Sequence, residues 1–220
     1  MKKMKTFTIS RARSLPVIIL ADVSGSMATN GKIDALNDSV AGMLAAFAEE
    51  DDARAEIRVC VVTFGGNTAK LHKPLAPATD TTWEPMTANG RTPMGEAFTL
   101  ARQMVEDRET ISGRDYSPVL VLVSDGLPND DWQAPLDALL ASERASKAAR
   151  FALAIGEDAD VGILAKFLAD DEGRVFQAHE AREIKKFFRW VTMSVALTSR
   201  SANPNSMIEL DPVDLDDLDF

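Results

Sequence analysis

Three short segments of this 220-residue chain gather side chains that present oxygen. The first is Asp22-Val23-Ser24-Gly25-Ser26, in which every second residue carries a carboxylate or hydroxyl and Gly25 is expected to let the backbone turn tightly between them. The second is Asn89-Gly90-Arg91-Thr92-Pro93-Met94-Gly95, offering the Thr92 hydroxyl; the third is Ser124-Asp125-Gly126-Leu127-Pro128-Asn129-Asp130, offering Asp125. Asp22, Ser24, Ser26, Thr92 and Asp125 together supply two carboxylates and three hydroxyls, with no imidazole or thiolate. That donor set suits a hard divalent ion, magnesium first and manganese or calcium as alternatives, whereas zinc favours nitrogen and sulfur. Magnesium is octahedral and keeps several waters, so five side chains, some acting through water, leave a coordination position open. Two carboxylates only balance the ion's charge, so an Asp or Glu from a partner protein would complete the shell favourably.

The elements that must position these loops follow from hydropathy. Short apolar runs at 15–21, 57–64, 119–124 and 151–155 are too short for helices and rich in residues suited to buried strands. Stretches with helical spacing separate them, at 32–48, 93–108, 132–149, 161–169 and 181–197. A weaker run at 69–75, followed by Pro77, reads as an edge strand, and 174–177 as a short last strand. Continuous apolar strands alternating with helices predict an α/β fold: a doubly wound, Rossmann-like, mainly parallel sheet with one antiparallel edge strand and helices on both faces. The strand at 15–21 is expected in the centre. In such folds a site lies outside the carboxyl ends of the strands, at the point where strand order reverses. The first and third oxygen-bearing loops directly follow strands, and the second directly precedes a helix.

Asp22-x-Ser24-x-Ser26, then Thr92 in a TPMG setting, then Asp125 in SDGLPND resembles the metal-ion-dependent adhesion site of von Willebrand factor type A domains. The resemblance covers roughly residues 14–198, leaving 1–13 as an N-terminal extension and 199–220 as an acidic tail. It implies a protein–protein interaction module dependent on a divalent metal, and no enzyme. It also implies that Thr92 and Asp125 exchange between direct and water-mediated contact with the ion as a ligand arrives. The stretch SDGLPNDDW and the TMSVALTSRS ending further resemble the bacterial tellurite-resistance TerY-type subgroup, cytoplasmic proteins linked with a Ser/Thr kinase and a metal-dependent phosphatase in stress operons. The chain departs from many relatives in carrying Asn89 where they have Gly.

Composition narrows the partners. The net charge is −10, and residues 207–220 hold six acids and no base, so phosphate backbones would be repelled and no nucleic acid is expected. No apolar run approaches the roughly 18 residues of a membrane span. The segment PVIILA follows Arg-rich sequence but lacks an A-x-A cleavage site and ends at Asp22, which makes it a buried strand rather than a leader. Cys60 is the one cysteine, inside the apolar run IRVCVVTF, and reads as an inert core residue of a cytoplasmic protein.

Two enzyme readings and one binding alternative stand beside the interaction module. A DxDxT-type phosphatase would use Asp22 as nucleophile, but its second acid, the proton donor, is here Ser24. A serine hydrolase lacks the G-x-S-x-G elbow. The third alternative is a purely structural metal. Thr92 is also placed to cap the helix opening at Pro93, and Asp130 and Asp131 to cap one beginning near Trp132. His72 and His179 are isolated, Trp190 falls on a core face, and Trp83 and Trp132 suit either local packing or partner contact. The tail MIELDPVDLDDLDF alternates acids with apolar residues, which fits a solvating end, a docking motif, or a source of a metal-binding carboxylate.

Overall fold

In a computed structural model, residues 13–50, 54–170 and 173–210 are described. They form a six-stranded sheet in the order β3-β2-β1-β4-β5-β6. β1 (Ser14–Asp22) pairs in parallel with both β2 (Glu56–Gly65) and β4 (Val119–Ser124). β5 (Ala149–Ile155) and β6 (Phe176–Ala178) continue the parallel run, while β3 (Thr68–Pro77) lies antiparallel on the β2 edge. The expected architecture is therefore present, with β1 inside and strand order reversing there.

Every residue of β1 is buried, and alternation sends its side chains to two cores. Leu15, Val17, Ile19 and Ala21 face α1 (Lys32–Ala48) and α5 (Ala181–Arg200). Ile18 and Leu20 face α2 (Met94–Glu106), α3 (Gln133–Leu140) and α4 (Val161–Leu168). Covering both faces explains why the strand sequences are continuously apolar. Cys60 is fully buried, and burial pushes its thiol up to about 12, as suits a core residue.

Two boundaries differ from expectation. The helix expected over 132–149 stops at Leu140 and gives way to a 3-10 turn at Ala145–Lys147, and β5 already begins at Ala149. The Ser142 hydroxyl bonds back to the Leu139 carbonyl, the Arg144 guanidinium donates to the Ile111 and Ser112 carbonyls, and Glu106 accepts from the Arg144 and Ala145 amides. These polar contacts to a neighbouring loop break a stretch whose apolar spacing alone reads as helix. At the other end, α5 continues to Arg200, and residues 201–210 run back along it. Ile208 N–H donates to Thr198 Oγ1 at 2.9 Å, and Trp190 Nε1 donates to the Leu210 carbonyl at 2.8 Å. The rest of the acidic tail, 211–220, lies outside the described residues, as do residues 1–12 of the basic N-terminal stretch.

Candidate metal centre

The site begins where β1 and β4 end. Their last residues, Asp22 and Ser124, are both fully buried, and the Ser124 hydroxyl donates to Asp22 Oδ2 at 2.6 Å. The other Asp22 oxygen, Oδ1, accepts from the Ser24 amide at 2.8 Å, closing a tight turn after the strand. Burial raises the Asp22 pKa from 3.8 to about 6, offset in part by the hydrogen bonds from Ser124 and Ser24, with the nearby Asp125 charge adding to the rise.

The chain then enters a 3-10 turn at Gly25–Ala28 that carries Ser26. Ser24 Oγ and Ser26 Oγ lie 2.9 Å apart, and Ser26 Oγ donates to Asp125 Oδ1 at 2.7 Å. Asp125, the residue after β4, is itself fully buried. Two hydrogen bonds thus link Ser24 to Asp125, and the first and third oxygen-bearing loops meet.

The second loop reaches the same place. Thr92 is 6% exposed, and among the described residues its hydroxyl makes no hydrogen bond within the protein. A Cβ built on Gly126 would lie 3.7 Å from Ser26 Oγ and 3.9 Å from Thr92 Oγ1, so both hydroxyls border the space above Gly126. The five residues singled out by sequence therefore converge at one end of the sheet. Their chemistry fits a hard cation. Two buried carboxylates lie close enough that the Asp125 charge raises the Asp22 pKa, a cost normally offset by positive charge, and the Thr92 hydroxyl is left free of any partner within the described residues. Among the described residues no group of three or more His, Cys, Asp or Glu gathers to hold a metal, so an ion here would depend on the hydroxyls as well as the two acids.

Backbone contacts that sequence reasoning missed hold the second loop down. Gly25 N–H donates to the Gly90 carbonyl at 3.0 Å, Asn89 N–H to the Val23 carbonyl at 2.8 Å, and Gly66 N–H to the Asn89 carbonyl at 2.7 Å. Gly25 does not adopt positive φ, and a Cβ there would meet the Gly90 carbonyl oxygen at an ordinary contact distance of 3.4 Å, so the expected special turn is not found. Gly90 does sit at φ +66°, and a Cβ there would come 2.5 Å from the Gly66 Cα. Gly66 is thus part of the seat for the Thr92 loop.

Capping also differs from expectation. Thr92 does not cap α2 with its side chain. The cap comes from Asp130, whose Oδ1 and Oδ2 accept from the Gly95 and Glu96 amides at 3.1 and 3.0 Å. Thr92 is thereby released from a capping role, and Asp130 serves α2 rather than the helix that follows it. Ser124 and Lys32 are the other residues overlooked: Lys32 Nζ donates to Asp125 Oδ2 at 2.8 Å. The two histidines take no part: His72 Nε2 lies 2.8 Å from the Glu84 carbonyl, and His179 follows β6 at the edge of the sheet, where its amide donates to Glu183 Oε2. Trp83 and Trp132 pack against the two cores.

This geometry defines a domain with an oxygen-lined cleft at the switch point of a doubly wound sheet. The chain belongs to the von Willebrand factor type A domain family, whose model matches residues 17–127. No curated protein matches it in sequence. Among solved structures it is similar to mussel byssus proximal thread matrix protein 1 "with zinc occupied MIDAS motif" (TM-score 0.63, 18% identity, covering 82% of this chain and 47% of that one). It is also similar to the ArnB paralog VWA2 from Sulfolobus acidocaldarius (TM-score 0.60, 13% identity, 85% and 45%). A third is a von Willebrand factor type A protein from Catenulispora acidiphila (TM-score 0.60, 18% identity, 83% and 42%). The chain spans under half the length of each of these three structures. Among the described residues, no helix is long and apolar enough to cross a membrane.

Proposed function

We propose that the chain is a non-catalytic interaction module in which Asp22, Ser24, Ser26, Thr92 and Asp125 hold one divalent ion, and an Asp or Glu of a partner protein supplies a further ligand. The observation that carries this reading is the meeting of two fully buried carboxylates with three hydroxyls at the ends of β1 and β4. Magnesium is the first choice, from the all-oxygen donor set. Manganese and calcium follow, and zinc joins the set to be titrated because a structural relative's MIDAS motif holds it. Leu127, 63% exposed and two residues beyond Asp125, offers an apolar contact beside the ion for such a partner.

A cytoplasmic setting and a role beside a Ser/Thr kinase or a metal-dependent phosphatase in tellurite resistance or stress signalling rest on the TerY-type resemblance of SDGLPNDDW. Catalysis is disfavoured by Ser24, which stands where a phosphatase of this topology would need its general acid.

The test is capture of partners from native lysate with and without chelator, using wild type and Thr92→Ala. Loss of chelator-sensitive capture with an unchanged melting temperature supports recognition through the ion. A lowered melting temperature with capture intact supports a structural metal instead.

A further inference from the structure

The centre holds a cation of its own. Lys32 Nζ lies 2.8 Å from Asp125 Oδ2, with the lysine side chain 16% exposed and the aspartate side chain not at all. Lys32 is the first residue of α1, where the helix macrodipole disfavours a positive charge. The Gly156 turn after β5, at φ +79°, passes beside the ammonium, close enough that a Cβ there would come 3.3 Å from Nζ. The lysine is therefore held in a slot rather than lying loose on the surface.

The two oxygens of Asp125 are divided. Oδ1 accepts from Ser26, on the side shared with Ser24, while Oδ2 is taken by Lys32. Oδ1 is thus the oxygen bonded to a member of the proposed ligand set, and Oδ2 is the one bonded to the ammonium. Lys32 engages Asp125 through a different oxygen from the one that Ser26 uses.

We propose that Lys32 is a fixed counter-ion of the metal centre: it holds Asp125 in place, moderates the affinity for a divalent ion, and gives the loaded centre a net positive charge that favours an anionic ligand. The proposal rests on the metal-binding reading above. Without an ion, one ammonium faces two buried carboxylates, so the site keeps a single uncompensated negative charge. With a divalent ion, the balance becomes a single positive charge. Without Lys32 the loaded site would be neutral, as the donor set alone suggests. The lysine therefore trades affinity for the ion against attraction for a partner carboxylate. It is a positioning residue, acting through Asp125.

Calorimetric titration with manganese and magnesium, together with melting curves with and without ion, tests this on the full chain. In Lys32→Met, manganese should bind about tenfold or more tightly, because a like charge a few ångströms from the ion has gone. The ion-free melting temperature should fall, and the rise on adding ion should exceed that of wild type. Lys32→Arg should behave as wild type. Lys32→Gln, which keeps a donor toward Asp125 but not the charge, should show the affinity gain with a smaller loss of ion-free stability, and it carries the test if the methionine variant does not fold. Unchanged or weaker ion binding in the neutral variants, or a melting loss equal with and without ion, overturns the role of Lys32 while leaving the metal centre standing. Absence of ion binding by wild type and Asp22→Asn alike overturns the metal centre itself, and the lysine's role with it.

Discussion

At the carboxyl end of the sheet the fully buried charges are negative, and all four oxygens of Asp22 and Asp125 already accept from Ser24, Ser124, Ser26 or Lys32. At the amino ends of β5 and β6 the charges are mostly positive. Lys147, Arg150 and Arg174 border a cavity of about 830 Å³ that also meets Trp190, Met207 and Leu210. There Arg150 Nε is buried without a hydrogen-bond partner, and burial lowers the guanidinium's pKa. The second region has the volume usually expected of a ligand site. The first holds the ordered donor set. An ion needs converging oxygens rather than a large space, so the larger cavity is not required by the chemistry proposed for this fold. The amino-end cavity instead marks where the segment 201–210 closes over the base of α5.

A pair of substitutions breaks the comparison most sharply. Trp190 is 7% exposed, contacts Phe151, Phe176 and Phe187, and donates to the Leu210 carbonyl. Trp190→Ala should cost about 3–5 kcal/mol in denaturant unfolding. Magnesium affinity, measured on the folded fraction, should not change. Asp22→Asn should do the reverse, abolishing magnesium binding without lowering ion-free stability. If Trp190→Ala weakened ion binding as strongly as Asp22→Asn, the two ends would be one coupled unit and the contrast would fail.

The pH dependence of ion-free stability sharpens the same contrast. The folded-state pKa of Asp22 is raised from 3.8 to about 6, chiefly by burial. The folded state therefore holds a proton that the unfolded chain has released. The resulting stability is fully present below about pH 4 and is lost as pH rises through about 6, on the order of 3 kcal/mol from this one group. Asp22→Asn should remove that dependence, and at neutral pH the ion-free variant should be more stable than wild type. In wild type, a magnesium ion held as proposed would compete with the proton for Asp22, so affinity should decline as pH falls below about 6. Unfolding curves between pH 4 and 7, with and without magnesium, read both effects. A flat difference between wild type and Asp22→Asn across that range would show that Asp22 is not held against burial as the structure has it.

Much of this was legible in the sequence because the signals were local. β1, β4 and α1 follow from uninterrupted runs whose period is set by what they bury, and DVSGS and SDG sit directly beyond two of those strands. What escaped depends on contacts between segments distant in sequence. Lys32 at the start of an amphipathic helix reads as an ordinary solvated lysine until α1 is placed beside Asp125, 93 residues away. Ser124 reads as the polar end of a strand until β4 lies against β1. The break after Leu140 depends on Glu106 and Ile111 accepting from Arg144, which no local period reveals. The Gly66–Gly90 approach is hidden for the same reason, though two glycine-bearing turns flanking a hydroxyl loop were a signal that could have been weighed.

The smallest expected effect concerns Asp130, which from sequence was expected to cap the helix beginning near Trp132 and which caps α2 instead. Both of its carboxylate oxygens accept from backbone amides at the start of α2. The α2 N-cap position itself is Pro93, which has no side-chain hydrogen bond to give. Asp130 therefore fixes the entry of the helix that follows Thr92, and its negative charge also complements the helix N-terminus. Asp130→Ala should cost about 1 kcal/mol of stability, within the range of lost N-caps. Asp130→Asn, which retains one acceptor oxygen, should recover part of that loss. Neither should shift magnesium affinity by more than about the threefold that 0.7 kcal/mol represents, since a cap acts on Thr92 only through the backbone. A large affinity loss in Asp130→Ala that the asparagine variant did not restore would make Asp130 a third carboxylate of the centre. The loaded site would then carry no net charge even with Lys32 in place, and the attraction for an acidic partner would have to come from elsewhere.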